Sequence, residues 1–245
     1  MLTVQVGDRT ETPTIQAALP FDILWEDADL LILNKPAGLV VHGRTDWDGP
    51  TLAGAVSAYL GGPFHPVSRL DKGTGGVLCA AKSGYVHSLL IRQLHSPAYA
   101  RDYLAVAEGV LNPPAGRIDL PIGRDPSSGV KRMVSPAGLP AVTDYETLAT
   151  HDGLSLLRLR LHTGRTHQIR VHLAALGHPL VGDWLYGKED PARISRPALH
   201  AYRLRLTHPV SGEEICCTAP LPDDFRSLLG VAGFAFEEQD ESIVK

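Results

Sequence analysis

From Leu156 the chain reads LLRLRLHT, and the alternation is strict: Leu157, Leu159 and Leu161 fall on one side, Arg158, Arg160 and His162 on the other. A helix would scatter those leucines around its circumference, whereas a strand sets residues i, i+2 and i+4 on one face. YRLRLTHP repeats the device, with Leu204 and Leu206 opposed to Arg203 and Arg205. Two half-buried strands with basic outer faces predict a sheet covered on one side, which is the habit of antiparallel sheets.

Other segments carry the helical period. Between Ser83 and Pro97, the residues Val86, Leu89, Leu90, Gln93 and Leu94 share one face, with Ser83 as N-cap and Pro97 blocking continuation. Thr166 is placed to cap a helix through HQIRVHLAAL, whose buried stripe is Ile169, Leu173 and Leu176 and which Gly177 ends. Near the start, the apolar run Leu30 to Leu33 meets Asn34, Lys35, Pro36 and Gly38 before a second apolar run, which predicts two strands joined by a turn. Strands and helices without a βαβ rhythm indicate an α+β fold with a largely antiparallel sheet.

At 245 residues the chain is expected to form one domain. No apolar run approaches the roughly 20 residues of a spanning helix, and no basic segment followed by an apolar one opens the chain. A cytoplasmic location is the expectation. Cys79, Cys216 and Cys217 form neither a disulfide framework nor a zinc pattern and read as buried thiols.

A formal net charge of -4 speaks against a nucleic-acid partner. The distribution does not. Residues 155–205 hold Arg158, Arg160, Arg165, Arg170, Lys188, Arg193, Arg196, Arg203 and Arg205 against Asp183, Glu189 and Asp190. On charge alone, a binding surface and a solvated face are equally compatible with that excess.

One stretch fits no structural role alone: HPVSRLDKGTGGVLCAAK, from His65 to Lys82, with Asp71 between Arg69 and Lys72. A loop aspartate beside glycines is ordinarily a turn former. GTGG lacks the order of a phosphate loop and precedes a strand-like run. His162, His167, His172 and His178 have no zinc spacing, so no metal is expected. Asp71-Lys72-Gly73-Thr74-Gly75 is distantly like the signature of enzymes that phosphorylate an aspartate, with the Gly-Thr order inverted and no companion acidic motif. If the fold brings Arg165 or Arg170 to Asp71, the result is an anionic, aimed carboxylate, suited to nucleophilic attack.

SRLDKGTGGVLCAAK resembles the H-R-L-D-x-x-T-S-G catalytic loop of the RluA family of RNA pseudouridine synthases. ILWEDADLLILNKPAGLVVH resembles that family's first segment, ARDYLAVAEG its K-x-Y-x-A segment, and LHTGRTHQIRVHLAALGHPLVGDWLYG its third motif almost letter for letter. The similarity runs over about residues 23–226, leaving an N-terminal extension (1–22), a catalytic domain (23–230) and an acidic C-terminal tail (231–245). The extension is too short for the S4-type RNA-binding domain of many relatives.

The resemblance implies an α+β fold with a central mixed, mainly antiparallel sheet flanked by helices, and an active-site cleft across it. It implies isomerisation of uridine to pseudouridine in structured RNA, tRNA or rRNA, by a monomer without cofactor or metal. By the same resemblance Asp71 is the catalytic carboxylate, Tyr103 stacks on the uracil, and Arg170 pairs with the acid. Arg69 fills the gap left by base flipping, Ile169 packs near the base, and Arg165, Thr74 and His167 join the substrate-binding set. The basic strand faces would hold flanking phosphates. Ser68, Gly75 and Arg101 depart from the family pattern, and the glycine is expected to loosen the turn. The alternative is an RNA-binding or RNA-folding factor on this fold with weak catalysis.

Overall fold

The computed structural model describes residues 19–43 and 50–236. In chain order the elements are β1 (Asp22–Glu26), β2 (Leu30–Lys35), α1 (Leu52–Leu60), β3 (His65–Pro66), β4 (Gly75–Ala81), α2 (Gly84–Gln93), β5 (Tyr99–Glu108) and β6 (Ala115–Asp119). There follow β7 (Ile122–Arg124), β8 (Arg132–Val134), β9 (Val142–His151), β10 (Leu154–Leu161), α3 (Gln168–Ala175), β11 (Leu199–Thr207), β12 (Glu214–Thr218) and α4 (Asp223–Val231). One 10-stranded sheet has the order β1-β2-β4-β11-β5-β10-β9-β6, with β12 added to β11 and β3 to β4, while β7 and β8 form a separate hairpin. Its pairings are antiparallel except β4 with β11, so the sheet is mixed and mainly antiparallel, as the family resemblance implies.

The alternating segments are strands β10 and β11. Leu157 and Leu159 pack with Tyr103, Ala105, Ile169 and Leu173 on one face. Leu104, Val106, Leu154, Leu156 and Tyr202 pack with Phe225, Leu228 and Leu229 on the other, so α4 covers the reverse side. Helix α2 begins as expected, with Ser83 Oγ accepting from Val86 N–H at 3.2 Å.

Four expectations need correction. The second apolar run, Leu39 to Val41, is not a strand; Pro36 offers no N–H, Gly38 turns the chain at φ +89°, and the Val40 and Val41 carbonyls accept from the first N–H groups of α1 instead. The hairpin is β1–β2. Thr166 does not cap α3: His167 does, in the left-handed conformation, and the Gln168 side chain binds the preceding loop through Thr163 Oγ1 and Arg165 N–H. Residues 231–236, assigned to the tail, belong to the body, since Ala232 and Phe234 are buried in the α4 core. The rest of the tail and residues 1–18 of the extension lie outside the described residues.

The fourth concerns charge. Arg158 and Arg160 share the face of Leu154 and Leu156, away from Tyr103. There Arg203, Asp102, Arg160, Asp144 and Arg117 stand opposite one another across β11, β5, β10, β9 and β6, alternating in sign. Arg160 grips Asp102 at 2.7 and 3.0 Å, Arg117 grips Asp144 at 2.6 and 3.0 Å, and Arg158 lies 3.4 Å from Glu146. The basic strand face is an ion-pair ladder on the back of the sheet.

One buried histidine sets a pH dependence. His200, on β11 beside β4, is 1% exposed, and burial pushes it down to about 4 from the usual 6.5. The unfolded chain therefore takes up a proton as pH falls through 6.5 while the folded chain does not, and stability drains away until about pH 4. The loss expected from this group is about 3 kcal/mol. Thermal denaturation of the protein and of His200→Asn between pH 7 and pH 4 tests this; the variant should show the shallower decline, and equal slopes would refute the assignment.

Candidate active site

Asp71 sits on the loop between β3 and β4, and backbone contacts fix that loop from three directions. Thr74 N–H donates to Asp71 O at 3.0 Å, Gly38 N–H to Lys72 O at 2.7 Å, and Arg196 Nη1 to Gly73 O at 3.2 Å. Arg196, counted in the basic excess of residues 155–205, is buried and holds Asp224 with its other edge. The glycines permit close approach: a Cβ on Gly76, at φ +114°, would stand 2.1 Å from Ala201 O, where β4 meets β11. One on Gly75 would stand 3.1 Å from Lys35 O, so Gly75 tightens this corner instead of loosening it.

Lys35, which the sequence reading overlooked, is wholly buried at the same corner. Its Nζ donates to Pro36 O at 2.8 Å and Leu39 O at 2.7 Å, fixing the turn that carries Gly38. Burial pushes the ammonium down to about 8, with the Asp71 charge opposing that shift.

All eight residues assigned from sequence line one cleft of about 350 Å³, open to solvent: Arg69, Asp71, Thr74, Tyr103, Arg165, His167, Ile169 and Arg170. Tyr103 comes from β5, Ile169 and Arg170 from the first turn of α3, and Arg165 and His167 from the loop before it. Leu161 and Leu199 supply apolar wall. Burial raises the Tyr103 phenol above its ordinary range; the Arg101 cation opposes this and the Asp71 charge adds to it. Arg101 is itself buried, with Nε and Nη2 lacking a hydrogen-bond partner among the described residues.

The expected Arg170–Asp71 pair is looser than a bidentate bond. Arg170 Nη1 approaches Asp71 Oδ2 at 3.7 Å, while Nε and Nη2 each donate to Asp183 at 2.7 Å. Asp183 is fully buried, and its Oδ1 also accepts from Leu185 and Tyr186 N–H at 3.0 and 3.2 Å. His167 Nε2 faces Asp71 Oδ1 at 4.0 Å. Burial pushes the His167 imidazole down, with the Asp71 charge opposing. The carboxylate is thus flanked by the Arg170 guanidinium and the His167 ring and gripped by neither. Asp183 had two signals in the sequence, as one of three acids in the basic segment and as part of the third-motif resemblance.

Beside the cleft runs an open groove of about 800 Å³ lined by Arg124 and Arg132 of the β7–β8 hairpin and by Arg165, which borders both. Among the described residues, Asp27, Asp29 and His208 are the group whose ligand atoms lie within 4.8 Å of one another. They do not suit a metal. His208 Nδ1 accepts from Val210 and Ser211 N–H, so the neutral ring carries its proton on Nε2, 3.0 Å from Asp27 Oδ2.

Residues 29–175 match the family model described as RNA pseudouridylate synthase. The chain is 44% identical over 214 residues to the uncharacterized RNA pseudouridine synthase YhcT of Bacillus subtilis, covering 84% of this chain and 70% of that protein. It is 44% identical over 225 residues to the ribosomal large subunit pseudouridine synthase D of Nitrosomonas europaea, covering 86% of this chain and 65% of the relative. Among solved structures, the human RNA pseudouridylate synthase domain containing 4 superposes with a TM-score of 0.71 at 27% identity, covering 89% of this chain and 95% of its own. The human domain-containing 1 protein gives 0.68 at 30% identity, covering 83% and 84%.

Proposed function

The chain belongs to the RNA pseudouridylate synthase family, and from that premise we propose that it isomerises uridines of large-subunit ribosomal RNA at the Asp71 cleft. The choice of ribosomal over transfer RNA rests on relatives named for the large ribosomal subunit. The assignment of the cleft rests on one observation: Asp71, Tyr103 and Arg170, distant in sequence, border a single cavity.

In this reading the target uridine leaves its stack and enters the cleft, with exposed Arg69 at the rim to occupy the vacated place. The C1′–N1 bond breaks and its electrons go to the uracil ring. Asp71 either bonds to C1′ or removes the 2′ proton. The ring turns and C5 bonds to C1′ as the Asp71–C1′ bond breaks, or, on the second route, as Asp71 returns the proton to C2′; the C5 proton then departs and N1 gains one. Atoms and electrons balance without an oxidant or group donor. Tyr103, kept neutral by burial, offers a stacking face more readily than a base. Leu161 and Leu199 offer the detached ring an apolar surface within the open cleft. Phosphates flanking the target fit the groove of Arg124, Arg132 and Arg165, on the cleft side, instead of the strand arginines behind the sheet.

Incubating the purified protein with large-subunit ribosomal RNA and with bulk transfer RNA, then mapping pseudouridine, tests the proposal. New pseudouridine is expected in the ribosomal RNA. Its appearance in transfer RNA alone replaces the substrate, and its absence from both overturns the reading.

A further inference from the structure

The catalytic cleft has a neighbour that the reaction does not account for. Tyr186 follows α3 on the turn capped by Asp183, and its ring lies under the Arg170 guanidinium, 5.0 Å from centroid to Cζ. Its hydroxyl oxygen accepts from Arg132 N–H at 2.8 Å and lies 2.8 Å from His167 Nδ1. The two rings meet edge to face at 5.6 Å. His167 holds the left-handed backbone conformation at φ +60°, uncommon for a residue with a side chain.

We propose that Tyr186 is a positioning residue for Asp71: its hydroxyl fixes His167 as the tautomer protonated on Nε2 and turns that N–H toward the carboxylate. The inference rests on the cleft being the active site.

The proton assignment follows from the groups around the ring. The phenol oxygen already accepts from Arg132, and its own proton finds Nδ1 at hydrogen-bond distance. The opposite tautomer would aim an Nε2 lone pair at Asp71 Oδ1, 4.0 Å away, so two electron-rich atoms would face each other. A doubly protonated ring is disfavoured by burial and by the Arg170 and Arg132 charges, against the attraction of Asp71 and Asp183. What remains is a neutral donor on one side of Asp71 and the Arg170 cation, 3.7 Å from Oδ2, on the other. The pair aims the carboxylate without bonding it tightly. Because Tyr186 also receives the N–H of Arg132, the aim of Asp71 is tied to the hairpin that borders the arginine groove.

Tyr186→Phe removes the hydroxyl and keeps the ring. With ¹⁵N-labelled histidine, the wild-type His167 should show a bare Nδ1 and a protonated Nε2, and Tyr186→Phe should shift it toward a mixture. The kcat should fall at least about tenfold with KM changed less than about twofold, since the loss falls on the reacting geometry and not on RNA docking. His167→Gln supplies a side-chain N–H whose placement needs no tautomer, and in that background Tyr186→Phe should cost little more. An unmoved tautomer, an unchanged kcat, or an equal loss in the glutamine background each overturns the role of Tyr186. A wild-type protein that makes no pseudouridine overturns the functional reading, and the tautomer measurement, made without RNA, tells the two failures apart.

Discussion

Asp71→Asn is expected to lower pseudouridine formation by more than about a thousandfold, about 4 kcal/mol in the barrier, because an amide can neither bond to C1′ nor take a proton at neutral pH. The substitution is close to isosteric and leaves the buried Arg170 with its principal partner. The Arg170 fork is already satisfied by Asp183, and the Asp71 side chain contributes only the longer 3.7 Å contact. The loop keeps its shape through backbone groups, with Gly38 N–H on Lys72 O and Arg196 on Gly73 O, neither of which uses the carboxylate. Melting temperature should therefore stay within a few degrees and RNA affinity within about threefold, since binding draws chiefly on phosphate contacts made elsewhere. Single-turnover assays with matched filter-binding measurements decide it. An asparagine variant that retains a tenth of the activity would remove Asp71 from the chemistry; parallel loss of binding and turnover would make it a docking residue instead. The outcome also separates the enzyme from an RNA-folding factor on the same fold, for which Asp71 would be dispensable.

Local rules reached the elements whose patterns are local. The leucine-arginine alternation of β10 and β11 has period two and little other reading, and Ser83 announces α2 because an N-cap is a property of four consecutive residues. The eight cleft residues came from motif resemblance, and the fold gathers all of them. What stayed hidden depends on register. Charge counting treated Arg158, Arg160 and Arg196 alike as available cations, yet each has a partner whose identity follows only once β10 lies between β5 and β9, or α4 behind β11. Thr166 looked like a cap because its side chain suits one; the N-cap is instead a left-handed His167, whose side chain makes no cap hydrogen bond and faces Asp71. Lys35 passed as a turn residue because no spacing in sequence signals a buried ammonium.

Asp183 carries the other large effect. Its carboxylate is fully buried and accepts from both prongs of Arg170 and from the N–H groups of Leu185 and Tyr186. Asp183→Ala leaves a buried guanidinium without its principal partner and two N–H groups without an acceptor, and breaking a buried pair in this way costs about 3–5 kcal/mol. In a chain of this size that is a fall in melting temperature of about 10 °C. Activity should fall with it even at temperatures where the variant is folded. Arg170, released, has Asp71 as its nearest carboxylate, and the loose 3.7 Å approach can close into a tight pair that occupies the oxygens the reaction needs. Stability and function can then be driven apart. Adding Arg170→Met removes the stranded charge, so the double variant should recover part of the lost melting temperature while turnover stays low, because the cation that aims Asp71 is gone. A single Asp183→Ala variant that melts within about 2 °C of wild type would show that Arg170 finds equal compensation elsewhere. Recovery of turnover in the double variant would mean that Arg170 is scaffolding for Asp183 and has no part in directing the carboxylate.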